Sequence, residues 1–137
     1  MKKYSKIGYM LKEVQHELRK KMDNALGDLE LTTPQYAALV ELVRTPGLSN
    51  ADLARKSFVT AQTMNLIVQN LEKRNIIQRN PSASHGRIIN IELTKTGLAL
   101  LRRANSIIGK IEEEHFSRLS ENDLDEMLVL LTKLTIE

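Results

Sequence analysis

Apolar residues recur along much of the chain at steps of three and four, the spacing that places them on one face of an α-helix. The first such run covers roughly residues 5–28 and has a seam like that of a coiled coil. A helix of this length carries more apolar seam than one small domain covers. We therefore expect a long N-terminal helix covered by a partner chain; the alternative is that it packs only within its own subunit.

Shorter helices are predicted next. A second helix is expected to begin at Thr33, with the threonine as N-cap and a proline after it, and to end at residues 45–47. Ser49 then predicts the start of a short third helix. The turn at residues 57–59 leads to Thr60, the expected N-cap of a fourth helix. Two helices joined by so tight a turn predict a helix-turn-helix.

The fourth helix has two contrasting faces. Its apolar residues form one stripe at helical spacing, namely Met64, Ile67, Val68 and Leu71. The opposite face consists mainly of amides and hydroxyls, at Gln62, Thr63, Asn65, Leu66, Gln69 and Asn70. Gln and Asn can pair with N6 and N7 of adenine, and a Thr methyl can contact a thymine methyl. This face is predicted to read base edges in DNA; the alternative is an ordinary solvated helix surface.

After the fourth helix the pattern becomes that of a hairpin. Ile76 begins a short strand, and residues 87–93 alternate in a second strand. The loop between them, residues 80–86, is rich in turn-forming residues. Two strands around a polar tip after a helix-turn-helix predict a wing. Arg87 lies near this tip, where an arginine can enter the minor groove; the alternative is pairing with a carbonyl or phosphate oxygen.

The chain ends in two further helices. Thr94 is expected to cap a long one in which Gly97 allows a close approach. The inner seam of this helix is predicted to hold Leu98, Leu101, Ile108, Ile111 and His115. Ser120 is expected to cap the last helix, with an apolar stripe at Leu124, Met127, Leu128, Leu131 and Leu134.

The predicted fold class is therefore mainly α with a small β-hairpin wing. Residues 33–94 form a winged helix-turn-helix core, and the long helices in 1–30 and 95–137 are dimerisation elements of the same single domain, residues 1–137.

Composition and charge limit the classes of function that this chain can have. A length of 137 residues with 42% hydrophobic content suits one domain, and the absence of cysteine excludes disulfides and cysteine zinc sites. No signal peptide or membrane span is indicated, so we expect a cytoplasmic protein. Residues 44–103 hold 10 Lys/Arg and 3 Asp/Glu, whereas residues 104–137 hold 3 and 8. The basic middle predicts a phosphate-binding face.

Several motifs resemble those of the MarR family of winged helix-turn-helix regulators over about residues 5–134. They are Leu31-Thr32-Thr33-Pro34-Gln35-Tyr36, Leu53-Ala54, Val59-Thr60-x-x-Thr63, Leu71-Glu72-Lys73-Arg74, Arg87 and Leu93-Thr94-x-x-Gly97. The resemblance implies a homodimer built from the N- and C-terminal helices. It also implies a repressor that binds a pseudo-palindromic operator in double-stranded DNA and is released by a small, often aromatic, ligand.

The resemblance also assigns candidate site residues. The major-groove candidates are Thr60, Ala61, Gln62, Thr63 and Asn65, with Leu66 and Gln69 on the same face. The phosphate candidates are Ser49, Asn50 and Arg79, together with Arg74, for which a role at the end of the helix dipole is the alternative. His85 and Arg87 are the wing candidates. A ligand pocket between the first two helices and the winged core is implied, with Met10, His16 and Tyr36 as candidate lining.

Three positions depart from the usual pattern of this family. His85 stands where an acidic residue is common, so the carboxylate that would brace Arg87 is missing. Leu66 replaces a frequent basic residue, which suggests an apolar base contact or a packing role. Asn75 replaces a common glycine at the end of the fourth helix, where the left-handed conformation is needed and asparagine tolerates it.

Two other functions stay open at this point. A winged-helix protein-interaction module without DNA binding would account for the missing wing carboxylate. A metal-responsive regulator could use Glu112, Glu114 and His115 as a metal corner, although these residues also suit an acidic helix face. The sequence has no P-loop or dinucleotide motif, and its histidines are scattered. We therefore expect no enzymatic activity, no catalytic residue, no resident metal and no cofactor other than an effector of unknown identity.

Overall fold

The computed structural model describes residues 2–81 and 89–135, so the tip of the predicted wing, including His85 and Arg87, lies outside the described residues. The elements follow one another as α1 (Lys3–Leu26), a short 3₁₀ turn (Gly27–Leu29), α2 (Thr33–Arg44), α3 (Asn50–Lys56), α4 (Ala61–Lys73), β1 (Ile77–Pro81), β2 (Ile89–Leu93), α5 (Lys95–His115) and α6 (Glu121–Leu134). This order confirms the predicted fold class of helices around one antiparallel hairpin.

Side-chain caps begin the helices of the core. The Thr60 hydroxyl accepts the N–H of Thr63 at 3.0 Å, and the Thr94 hydroxyl accepts the N–H of Gly97 at 3.0 Å. Ser49 caps α3 in the same way. Each cap satisfies one N–H group that has no partner within its helix. The caps predicted at these three positions, and at Ser120 of α6, are confirmed.

The predicted cap of α2 was wrong by one residue. Thr32 is the N-cap, and its side chain and that of Gln35 form a reciprocal capping box. Thr33 is already the first helical residue, and its hydroxyl and N–H both donate to the carboxylate of Asp23 on α1. The Thr32-x-x-Gln35 spacing is itself the capping-box signature, so the deciding signal was local and was missed in favour of the Thr33-Pro34 pair.

The core is built around the apolar stripe of α4. All four predicted residues of this stripe are buried, and they meet buried side chains from α2, α3 and the hairpin. The hairpin strands are antiparallel, with Ile77 opposite Leu93 and Arg79 opposite Ile91. Ile76 precedes β1, although the sequence predicted it as a strand residue. Its N–H donates to the carbonyl of Leu71, and its own carbonyl accepts the N–H of Thr94.

The buried face of α5 is centred on Gly97, Leu101, Ala104 and Ile108. A Cβ atom on Gly97 would lie 2.0 Å from the carbonyl oxygen of Ile76, so the predicted close approach is confirmed. Leu98 was predicted on the inner seam, but its side chain is 39% exposed. The small residues Gly97 and Ala104, and not Leu98, lie on the face of α5 that the core covers.

Large apolar side chains remain exposed on the first and last helices. On α1 they are Tyr4, Ile7, Tyr9, Met10, Leu11 and Val14, and on α6 they are Met127, Leu128, Val129, Leu130, Leu131 and Leu134. Within the part of the chain that the structure describes, α6 has no buried residue and packs extensively on no other element. None of the described helices combines the length and apolar character needed to cross a membrane.

Candidate nucleic-acid interface

The face of α4 opposite its buried stripe is open to solvent. Gln62, Thr63, Asn65 and Gln69 are all exposed along it. Leu66 on the same face is 64% exposed, so it is not a residue of the core. Its contact with a base stays a prediction. The buried stripe fixes the rotation of α4, so the amide groups are presented together on the outside.

The N-terminal turn of α4 holds two linked hydroxyl groups. The Thr60 hydroxyl, which caps the helix, also donates to the hydroxyl oxygen of Thr63 at 3.0 Å. The proton of the Thr63 hydroxyl is then available to an acceptor outside the protein. N–H groups at a helix N-terminus also favour an anion such as phosphate. This end of α4 is therefore suited to a nucleic-acid contact.

Helix α3 presents the predicted phosphate candidates at its own start. The Ser49 hydroxyl accepts the N–H of Asp52 at 3.2 Å, which leaves its proton free to donate. Ser49 and Asn50 are both partly exposed. The carboxylate of Asp52 pairs with Arg55 one turn later.

The two predicted arginines have different environments. Arg74 donates to the carbonyl oxygens of Glu30 at 2.8 Å and Leu29 at 3.4 Å, so it ties the end of α4 to the end of the 3₁₀ turn. Its phosphate contact stays a prediction; the guanidinium N–H groups outside these bonds could make it. Arg79 on β1 forms an exposed ion pair with Glu72 at 3.4 Å.

Asn70 differs from its predicted neighbours on the amide face. Its side-chain oxygen accepts the amide N–H of Gln35 at 3.1 Å, and the Arg74 guanidinium lies at 3.5 Å from the same oxygen. Asn70 therefore joins α4 to the start of α2. The sequence could not show this, because Gln35 lies 35 residues away.

The structure does not bring the predicted ligand-pocket residues together. Tyr36 donates its hydroxyl proton to the side-chain oxygen of Asn105 on α5 at 2.6 Å. Burial raises the pKa of Tyr36 above its ordinary value, and the negative charge of Glu112 raises it further. Met10 and His16 are exposed on α1 and, six residues apart, point about 120° away from each other around its axis. Their place in a pocket stays a prediction.

In the predicted metal corner, His115 contacts a lysine side chain. The ammonium group of Lys21 donates a hydrogen bond to Nδ1 of His115 at 3.0 Å, which joins α1 to α5. Over residues 2–81 and 89–135, no group of three or more acidic or histidine side chains is placed to share a metal ion. The wing candidates His85 and Arg87 lie outside the described residues, so their roles stay predictions.

The structure adds one residue that the sequence analysis treated only as part of a turn. Phe58 lies between α3 and α4 with φ of 58°, in the left-handed region, and its side chain is 94% exposed. The sequence signal was an aromatic residue two positions before a helix cap, outside either apolar stripe.

Comparisons with known proteins agree on one family. A family model described as MarR family matches residues 29–88. The HTH-type transcriptional repressor Rv2887 of Mycobacterium tuberculosis is 37% identical over 128 residues, covering 93% of this chain and 92% of the relative. The crystal structure of this MarR family protein with salicylic acid has a TM-score of 0.79 at 37% identity, covering 93% of this chain and 94% of that one. The structure of the same protein with DNA has a TM-score of 0.79 at 33% identity, and the match covers 94% of this chain and 97% of that one.

Proposed function

Because the chain belongs to the MarR family, we propose that it is a dimeric, sequence-specific DNA-binding transcriptional repressor that a small aromatic ligand releases from its operator. The relative of known structure is described as a repressor, and it has been crystallised with DNA and with salicylic acid. A repressor acts where the chromosome is, so we also propose that this protein works in the cytoplasm.

The observation that carries the proposal is the open face of α4. Uncharged amides and hydroxyls at Gln62, Thr63, Asn65 and Gln69 are exposed together, while the opposite stripe is buried. Groups of this kind donate and accept at base edges in the major groove, which is wide enough to admit a helix. The basic segment around them supplies attraction for phosphates that does not depend on sequence.

A second copy of the chain completes this proposal. Leu128 and Leu134 of α6 are exposed, as are Ile7 and Leu11 of α1. Exposed apolar side chains that follow one another along a helix mark an interaction site. A two-fold dimer built from these helices would present two copies of α4 to half-sites about one or two DNA turns apart.

The test is selection of genomic DNA fragments by the purified protein, followed by gel-shift titration of the recovered duplex. We expect enrichment of a pseudo-palindromic sequence and a protein mass of two chains in solution. Gln62→Ala should weaken binding by about tenfold, since a specific amide–base pair contributes on the order of 1–3 kcal/mol. The matched control is Asn122→Ala, an exposed amide at the acidic end of the chain. Equal affinity of both variants for the selected and a scrambled duplex would refute sequence-specific recognition.

Release by a ligand is tested with the same duplex. Sodium salicylate added to the preformed complex should free the DNA at concentrations where sodium chloride of equal ionic strength does not. A complex that responds identically to both salts would contradict an aromatic effector of this class while leaving DNA binding intact.

A further inference from the structure

Phe58 ends α3 in the left-handed conformation, with the N–H of Val59 bonded to the carbonyl of Ala54 and its own N–H to the carbonyl of Arg55. The helix cap accounts for the backbone, but not for a phenyl ring at a position that glycine or asparagine usually occupies. A bulky side chain rarely adopts positive φ, because its Cβ crowds the following carbonyl oxygen. Here φ is 58°, and the ring recovers no burial in return, since it is 94% exposed. Glycine would adopt this conformation without crowding. An exposed aromatic ring at a position where a small residue would form the cap at less cost points to a role outside the subunit.

The position of Phe58 in the chain puts it near the N-terminus of α4. It lies two residues before Thr60, the cap of α4, so its Cα atom is within about 7 Å of that of Thr60. In a helix-turn-helix the N-terminal residues of the second helix contact base edges. With α4 in the major groove, a ring attached this close to that end and not folded back on the protein would lie within reach of the edge of the same groove.

The surroundings of the ring suit DNA. Arg55 and Lys56, three and two residues before Phe58 at the end of α3, are exposed. Arg55 is paired with Asp52, so Lys56 carries the unbalanced positive charge of this turn, which would attract a phosphate that borders the groove. The remaining contact available to a phenyl ring in the major groove is apolar, and the C5-methyl of thymine is the apolar group that this groove displays.

We propose that Phe58 is a specificity-determining residue that contacts a thymine methyl group at the edge of each operator half-site. This inference rests on the proposed function. It predicts opposite effects of one substitution, because Phe58→Gly relieves the backbone and removes the contact at once. Thermal stability should stay the same or rise by up to about 4 °C, while affinity for the selected operator should fall about fourfold or more, as expected for burial of at least one methyl-sized group.

The matched control is Asn75→Gly. Asn75 has φ of 59° at the other end of α4 and is exposed, so the same change relieves the same conformation far from the turn. We expect this variant to gain stability as Phe58→Gly does and to bind the operator as the wild type does. A loss of affinity in both variants would attribute the effect to loosened backbone near α4 and overturn the proposal.

The decisive experiment replaces thymines of the selected operator by deoxyuridine, one at a time, which removes only the methyl group. Wild-type protein should lose about fourfold in affinity at one position in each half-site. Phe58→Gly should show no loss at that position and the normal loss at others. If every deoxyuridine affects both proteins equally, Phe58 does not contact a thymine methyl.

The remaining outcomes distinguish a failure of the proposed function from a failure of the role given to Phe58. If the wild type selects no operator, the proposed function fails and this inference fails with it. If the wild type binds and Phe58→Gly binds equally well, only the role of Phe58 is wrong. If Phe58→Gly lowers the mass measured by light scattering from two chains to one, the ring belongs to an interface between copies of the chain, and the DNA contact is overturned.

Discussion

The distance between α5 and the winged core is set at Gly97. Because a Cβ there would lie 2.0 Å from the Ile76 carbonyl oxygen, Gly97→Ala should reduce the free energy of unfolding by about 3 kcal/mol, the upper part of the range for overpacking. Urea denaturation followed by circular dichroism measures this. Gly109→Ala in the same helix is the control, since its Cβ would meet nothing within 4 Å and alanine favours helix. Equal stability of the two variants would contradict the close approach.

Asp23 gives a pH-dependent prediction at the same scale. The Thr33 hydroxyl that donates to Asp23 holds the pKa of its carboxyl below the ordinary value, and the Thr33 N–H and Arg19 act in the same direction. A lowered pKa in the folded state means that the charged form adds stability above the ordinary pKa of aspartate. That contribution is lost as the pH falls through the folded-state pKa.

Asp23→Asn should therefore destabilise the protein at pH 7 and have a smaller effect near pH 3. The difference should stay below about 1 kcal/mol, because the Asp23 side chain is 45% exposed and solvent screens it. Urea midpoints of wild type and variant across this pH range provide the measurement. A constant difference between the two proteins at every pH would show that the Asp23 charge adds no stability.

At the scale of elements, local signals in the sequence predicted most of the fold. The caps at Ser49, Thr60, Thr94 and Ser120 were predicted correctly because a cap depends on residues within one turn. The apolar stripe of α4 was predicted for the same reason, since helical spacing alone defines it.

The errors have a common physical cause. Leu98 was assigned to a buried seam because hydrophobic spacing weights large residues, whereas Gly97 and Ala104 decide how closely the core approaches. The carbonyl partners of Arg74 and the partner of Asn70 lie more than 30 residues away in the chain. Such contacts depend on how the elements pack, which no local pattern contains.

The exposed stripe of α6 leads to a prediction about this element. Leu128 is 63% exposed within one subunit, so a glutamate there should leave the subunit folded but disrupt its pairing. In a two-fold dimer the change occurs twice, and each lost leucine contributes about 1.5–3 kcal/mol, so the dimer dissociation constant should rise at least about 100-fold. Light scattering against concentration measures it. Asn122→Glu introduces the same residue near the start of α6 and should leave the dimer unchanged; dissociation of both variants alike would indicate a general charge effect.

At the scale of the whole molecule, charge is separated along the chain. Residues 44–103, which include the helix-turn-helix, have a large excess of positive charge, and residues 104–137 are acidic. The acidic segment would repel DNA, so the molecule has one preferred orientation toward a duplex. Binding should therefore weaken steeply with salt, because each phosphate contact releases counterions and adds about 0.9 to the log–log slope.

Arg79 allows this orientation to be measured. Its guanidinium is on β1, in the basic segment, and forms an exposed ion pair with Glu72. If it contacts a phosphate in each half-site, Arg79→Gln should lower the magnitude of the salt slope by about two for the dimer and weaken binding to selected and random duplexes equally.

Arg118→Gln makes the same change in the acidic segment and should leave the slope unaltered. Fluorescence anisotropy between 50 and 200 mM salt, roughly the range over which phosphate contacts dominate, gives both slopes. Equal slopes for the wild type and Arg79→Gln would remove Arg79 from the phosphate contacts, whereas a loss of slope in Arg118→Gln would mean that DNA approaches from the opposite side.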